Sequence, residues 1–500
     1  MPVRVDDICK ELDSKYKKIL LNKKNSNFII ELLKTAQADN KKQIRLHSSS
    51  LLAKLFSNYL QNGVICKRKI DKNADENKEI LVELKFKAWM REQYESYAEI
   101  LIDSIASENR SEREKGENID CLFECLKQET KASKDEESSF PFDLFHKILE
   151  KILLNVSSLK LIKRLCKYLV YNDIRYFTLK YIHDNLDEYR SNDTFIENFI
   201  NLFSLMPGLI KGEESNEKSL FALEEISENS NLSNIDYNRK MFSDCIFKIL
   251  HSQLNTDLFK KVLTKFPEKL LPKMSNPLMC TDFLNESYKV GGLISVLALD
   301  SLYVLISKYN IEIPDFYKKL YEQLNASIFN TKYKSRYFAL LDMCLSSTHL
   351  SVFLVALFMK KISRLLLFAP ACDTKVLLRF ITNLAIRHPT CKQLIHRKNG
   401  KPIAGDPFDA NSTDLNQTSV LNSSVWEVQA IANHYSPSVA QEIKLLNSLP
   451  SSESDVFQLI DDNNFESLLD EELNKNYKSC PLLGVYDSDA FKISEFISLK

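Results

Sequence analysis

The chain has 500 residues with 44% hydrophobic and 27% charged side chains, which fits a folded protein and excludes a mostly disordered one. Only 9 glycines and 14 prolines are present, and no GxGxxG or GxxxxGK[ST] string occurs, so dinucleotide and P-loop chemistry are excluded along with tight-hairpin architectures. The formal net charge of zero hides a segregation. Residues 332–401 carry thirteen Lys and Arg against Asp342 and Asp373 alone, whereas residues 402–500 carry sixteen acids against five lysines.

The amino end, MPVRVDDICKEL, has no apolar signal core, and the eleven cysteines follow no regular spacing; both point to a reducing, intracellular compartment. Residues 1–107 read as amphipathic helices, with Phe28, Ile29, Leu32 and Leu33 starting one stripe. Residues 108–139, rich in Glu, Lys and Ser, read as a charged linker or loop, and Lys211 to Ser233 as a second mobile link. Residues 140–289 continue the helical pattern through Leu144, Ile148, Leu149 and Ile152, then Phe242, Ile246, Ile249 and Leu250. The expected fold is all-α, a HEAT-like helical-repeat solenoid with short loops, although two or three separate bundles would give the same pattern.

Residues 290–450 form the next expected domain. Gly291 and Gly292 break one helix before an apolar one to Tyr309. The helix Val352 to Phe368 puts Val352, Val355, Met359, Ile362 and Leu366 on one stripe and Lys360, Lys361 and Arg364 on another face, so one side is expected to pack and the other to be cationic. A helix near Thr374 to His388 adds Arg379 and Arg387, and a loop edge adds Arg397 and Lys398. These seven residues form the candidate basic surface, facing nucleic-acid phosphates or an acidic protein segment, the chain's own tail included. Ser424 to Glu427 matches a helix-capping box. His388, Cys391, His396 and His434 lie near one another in sequence but have irregular gaps and a single Cys, a poor match to structural zinc. Cys121 and Cys125 share a helical face without further ligands nearby and read as small buried hydrophobes. No catalytic, cofactor or metal residue is assigned.

Residues 451–500 read as an acidic docking tail. Between Glu453 and Glu472 eight acids stand without a base, interleaved with Phe457, Ile460, Phe465, Leu468 and Leu469, which suits an amphipathic segment seated in a groove of its own domain or of a partner.

The strings LSSTHL at 345–350, RHPTC at 387–391, LIHR at 394–397, DPFD at 406–409, SSVWE at 423–427 and HYSP at 434–437 occur in an order and spacing that resemble the domain of the CCAAT-binding-factor and nucleolar-complex-associated proteins. The upstream residues 291–321 fit the same domain. The resemblance implies a non-catalytic factor of the nucleus and nucleolus that scaffolds small ribosomal subunit precursors and pre-rRNA maturation in the small-subunit processome, with nucleolar protein fourteen as partner and no cofactor, membrane or small-molecule substrate. The alternative it leaves is a helical-repeat adaptor or transcription-related member acting elsewhere in the nucleus.

Overall fold

A computed structural model describes residues 5–37, 41–65, 78–107, 109–132, 140–155, 158–210, 220–222, 232, 234–313, 315–347, 349–396, 405–409 and 418–448, then 453, 455, 458, 460, 462 and 465–474. Among these residues all regular structure is helical, as the scarcity of glycine requires. The chain divides into two compact units, residues 1–310 and 311–500.

The first unit contains α1 (Val5–Leu21), α2 (Phe28–Gln37), α3 (Lys42–Gln61), α4 (Lys78–Ala106), α5 (Glu112–Ala132), α6 (Phe142–Asn155), α7 (Leu159–Cys166), α8 (Asn172–Tyr189), α9 (Asp193–Leu205), α10 (Ile235–Leu250), α11 (Thr256–Lys265), α12 (Thr281–Lys289) and α13 (Gly292–Tyr309). The odd-numbered helices from α1 to α13 each pack on the one two places along the chain. A second row runs α2, α4, α6, and α8 packs on α10. Two rows of helices related by this step are the geometry of a helical-repeat solenoid, in which each repeat buries its apolar face only against its neighbours.

Particular side chains fix the helix ends. Asn192 accepts from the backbone N–H groups of Thr194 and Phe195 at the start of α9, while buried Lys273 donates to the carbonyls of Phe203 and Ser204 at its end. Pro267 lacks a backbone donor, and the chain widens there into a π turn over Phe266–Leu270. Asn310 turns left-handed, with φ of 52°, to stop α13. By length and composition α13 could cross a bilayer, but Val296, Leu297, Leu299, Leu302 and Leu305 are buried in packing against neighbours that include α11 and α12.

Two boundaries differ from the sequence reading. The expected charged linker at 108–139 contains α5, whose Ile119, Leu122, Phe123, Cys125 and Leu126 are buried at helical spacing beneath a charged outer face. The break expected at 289–290 lies instead after Asn310, because α13 belongs to the first unit. Most of 211–233 lies outside the described residues. Within it, Phe221 sets its ring against Phe123, Tyr168 and Tyr171, and Asp173 accepts from the backbone N–H of Phe221 and Ala222.

Arg175 supplies a stringent constraint. Its guanidinium is buried, donates from Nη2 to Asn172 Oδ1 at 2.5 Å, and is held below the usual arginine range by desolvation. Gly208, at φ of 71°, lies so close that a Cβ there would collide with Nη1. Gly208→Ala is therefore expected to destabilise by about 1 to 2 kcal/mol from backbone strain alone, with the collision added to that. A thermal unfolding midpoint equal to wild type would contradict this packing.

Candidate functional site

The second unit contains α14 (Phe316–Gln323), α15 (Lys334–Leu345), α16 (Val352–Leu365), α17 (Ala371–Arg387), α18 (Trp426–Ala430), α19 (Pro437–Ser448) and α20 (Phe465–Leu473). Helix α16 begins where the Ser351 hydroxyl accepts from Leu354 N, and is buried on most of its circumference. That burial reaches Lys360, which is 0% exposed. The expected cationic face of this helix is corrected at that position: the residue lies inside the unit because α17, α18 and the strings DPFD and SSVWE close over α16.

Lys360 Nζ contacts both Glu427 carboxylate oxygens at 2.8 and 3.0 Å, the Ser424 carbonyl at 2.6 Å and Asp406 Oδ2 at 2.8 Å. Glu427 is also 0% exposed and takes a further bond from the Ser363 hydroxyl at 3.0 Å, with Arg364 Nε at 3.5 Å. Asp406 accepts from the Ser423 hydroxyl at 2.5 Å, Trp426 Nε1 at 3.0 Å and Phe408 N at 3.2 Å. Partial burial would raise the Asp406 carboxyl, but Lys360, Ser423 and Trp426 outweigh it and hold the group down at about 2. The two lysine and arginine charges balance the two carboxylates, so the cluster is neutral as a whole.

This arrangement replaces the expected capping box. The residue before α18 is Val425, which makes no side-chain cap bond, and the Glu427 carboxylate is committed to Lys360. Sequence reasoning assigned Glu427 to a local role and missed Asp406, since the lysine they hold stands 67 and 46 positions earlier in the chain.

The other candidate basic residues among those described also meet partners within the unit. Lys361 Nζ donates to the Tyr321 carbonyl at 2.7 Å and lies 3.7 Å from the Tyr321 ring centroid; desolvation brings its pKa down to about 8. Arg364 is 35% exposed and stands over the Phe408 ring at 5.5 Å. Arg379 pairs with Glu442 of α19, and Arg387 joins Asp342 at 2.8 Å to Glu453 at 2.7 Å. Arg397 and Lys398 lie outside the described residues. Asp406, Glu427, Glu442 and Glu453 of the carboxyl-terminal segment thus neutralise Lys360, Arg364, Arg379 and Arg387 before it.

In the tail, Phe457 lies outside the described residues, Ile460 and Leu468 are half-buried, and Phe465, Leu469 and Leu473 of α20 are 62%, 59% and 72% exposed. Lys334 Nζ approaches the Phe465 ring at 5.6 Å, but the stripe at steps of four is turned to solvent instead of a groove in its own unit. His388 ends α17 with Nε2 at 3.1 Å from the Leu345 carbonyl, Cys391 is buried, and His434 accepts from Ser436 N. Cys121 and Cys125 are pushed up by desolvation, Cys121 to about 11, which makes them poor nucleophiles.

Two family profiles match the chain. The CBF/Mak21 family covers residues 295–442, and a profile described as nucleolar complex protein 4-like, TPR repeats, covers residues 6–191. A nucleolar complex protein 4 homolog of Danio rerio is 31% identical over 97% of this chain and 94% of its own length. The chain belongs to the nucleolar complex protein 4 family. Its homolog in Gallus gallus is 32% identical over 93% of both chains, and that of Homo sapiens 29% over 86% of this chain and 85% of its own. By family, the protein is nucleolar. The amino-terminal profile describes the repeats of the solenoid as the TPR type.

Replacing Lys360 by Met, or Glu427 by Gln, is expected to destabilise the second unit by about 3 to 5 kcal/mol, since the buried cluster then carries an uncompensated charge. The double replacement K360M/E427L should recover most of that loss in an unfolding titration. Equal losses in single and double variants would show that the pair does not act as a unit. The contribution of Asp406 should be present above the ordinary carboxylate pKa near 3.9 and fade as pH falls toward about 2; D406N should remove that acid-side slope.

Proposed function

We propose that this protein is a non-catalytic assembly factor of the small-subunit processome, scaffolding small ribosomal subunit precursors through protein and rRNA contacts. The observation that supports the reading is the match to nucleolar complex protein 4 homologs along nearly the whole chain. A solenoid suits this work: two rows of helices offer long faces for partners while each helix is held by its neighbours. Purification of the tagged chain is expected to recover nucleolar protein fourteen and small-subunit precursor RNA. Recovery of large-subunit precursors alone would reject the assignment.

Of the candidate basic residues, Arg364, Arg397 and Lys398 carry the proposed rRNA contact, and Lys360, Lys361, Arg379 and Arg387 act within the fold. R364E/R397E/K398E should weaken association with the precursor and lower its salt dependence by roughly one phosphate contact per residue. Unchanged association of the folded triple variant would remove RNA from the reading.

The tail acts in trans. Phe465 and Leu469 offer an acidic, apolar helix face to a partner, and Leu468, Ile460 and Phe457 are the further residues proposed for that contact. F465E/L469E should reduce retention of nucleolar protein fourteen by about tenfold or more and leave thermal unfolding unchanged, because both side chains are exposed in the chain itself. Full retention would assign the contact elsewhere.

A further inference from the structure

The first unit carries a groove of about 770 Å³ between α10 and α12 that no role above uses. Phe247, Leu250, Met279 and Phe283 supply its apolar surface. Phe283 is fixed from behind by ring contacts with Phe259 and Phe266, at 5.6 and 6.3 Å. Met279 is 63% exposed, and Leu278 beside it in the chain is 49% exposed. A rigid aromatic wall next to an adaptable methionine is suited to receive apolar side chains of another segment, and the volume lies within the range of sites that bury such groups.

The rim decides which segment. Asp244 on α10 and Asp282 on α12 put a carboxylate on each bank. The other charges at the rim are offset locally: Lys248 by Asp187 at 3.0 Å, and Glu286 by Lys289 at 2.6 Å. His183 has Asp184 beside it at 3.3 Å, and His251 Nδ1 lies 2.8 Å from the Phe247 carbonyl. The balance at the mouth is therefore negative. That disfavours the chain's own α20, which has four acids and no base in its nine residues. It also disfavours a second copy seated by two-fold symmetry, since acidic banks would then meet acidic banks.

We propose that this groove receives an apolar segment of a partner protein flanked by lysine or arginine, in the manner of an amphipathic helix laid in a groove. The apolar floor supplies the affinity, and Asp244 and Asp282 select the flanking charge and steer the encounter. The inference does not depend on the assembly reading.

The test selects a displayed library of random peptides about 16 residues long, or some four helical turns, on the immobilised full-length chain, and measures the recovered peptides against variants. Recovered peptides should combine apolar anchors with Lys or Arg flanks. Met279→Glu should weaken them by about tenfold or more. D244K/D282K should weaken them by roughly tenfold and shift preference toward acidic flanks. Both changes alter exposed or partly exposed positions, and matching thermal unfolding curves verify the fold. The proposal is overturned if recovered peptides have acidic or uncharged flanks, if they bind both variants as they bind wild type, or if no peptide depending on Met279 is recovered. Self-association at micromolar concentration that is abolished by Met279→Glu would equally overturn it, by assigning the groove to a second copy.

Discussion

The second unit is organised around one ammonium group. A lysine removed from water needs acceptors for three N–H donors and a compensating charge close by, and Lys360 finds these only where three stretches distant in sequence meet. Two of those stretches, 405–409 and 423–425, have no regular secondary structure and so no backbone ladder to hold them. Apart from the bond from the Val425 N–H to the Leu394 carbonyl, side chains do that work: Asp406 is tied to Ser423 and Trp426, and Glu427 to Ser363. Two of the strings that make this part of the sequence distinctive, DPFD and SSVWE, are accordingly the ones that hold Lys360.

The same principle operates at lower intensity across the unit. Arg379 and Glu442 join α17 to α19, Arg387 ties α17 to Asp342 of α15, and Lys334 meets Asp373 at 2.9 Å. Lys360, Arg364, Arg379 and Arg387 of the basic stretch find counterions in the acidic stretch that follows it, while Lys334 is answered by an acid of its own stretch. The first unit relies more on apolar layering, with a column of stacked rings from Phe199 through Phe203 to Phe242 at 3.9 and 4.7 Å inside the solenoid. Its ionic contacts brace neighbouring helices, such as Glu114 of α5 held between Arg45 of α3 and Arg110.

What the sequence made legible follows from the range of the interactions concerned. Helical class and repeat architecture depend on spacing of three and four residues and on scarce glycine, both visible without coordinates. Family membership was legible because its strings keep their order. Helix α5 was obscured because its charged face dominates its composition, although Ile119, Leu122, Phe123 and Leu126 carried the periodic signal all along. The fate of Lys360 was not legible: a lysine beside Lys361 and near Arg364 reads as part of a solvated face until its distant acceptors are known. For α20 the periodicity was clear, but no local feature states whether such a stripe faces inward or outward.

The left-handed stop at Asn310 bears on how this protein can be divided. The family match that begins at residue 295 starts inside α13, so a fragment cut to that match would carry most of a helix whose buried leucines belong against α11 and α12. Freed from them, Leu297, Leu302 and Leu305 would form a sticky apolar ridge at the new amino end, and the remaining solenoid would lose its last rung and expose the surface beneath. Partition after Asn310 leaves each unit with the helices that complete its own interior. Inheritance of sequence blocks and partition of the folded chain therefore follow different borders in this molecule.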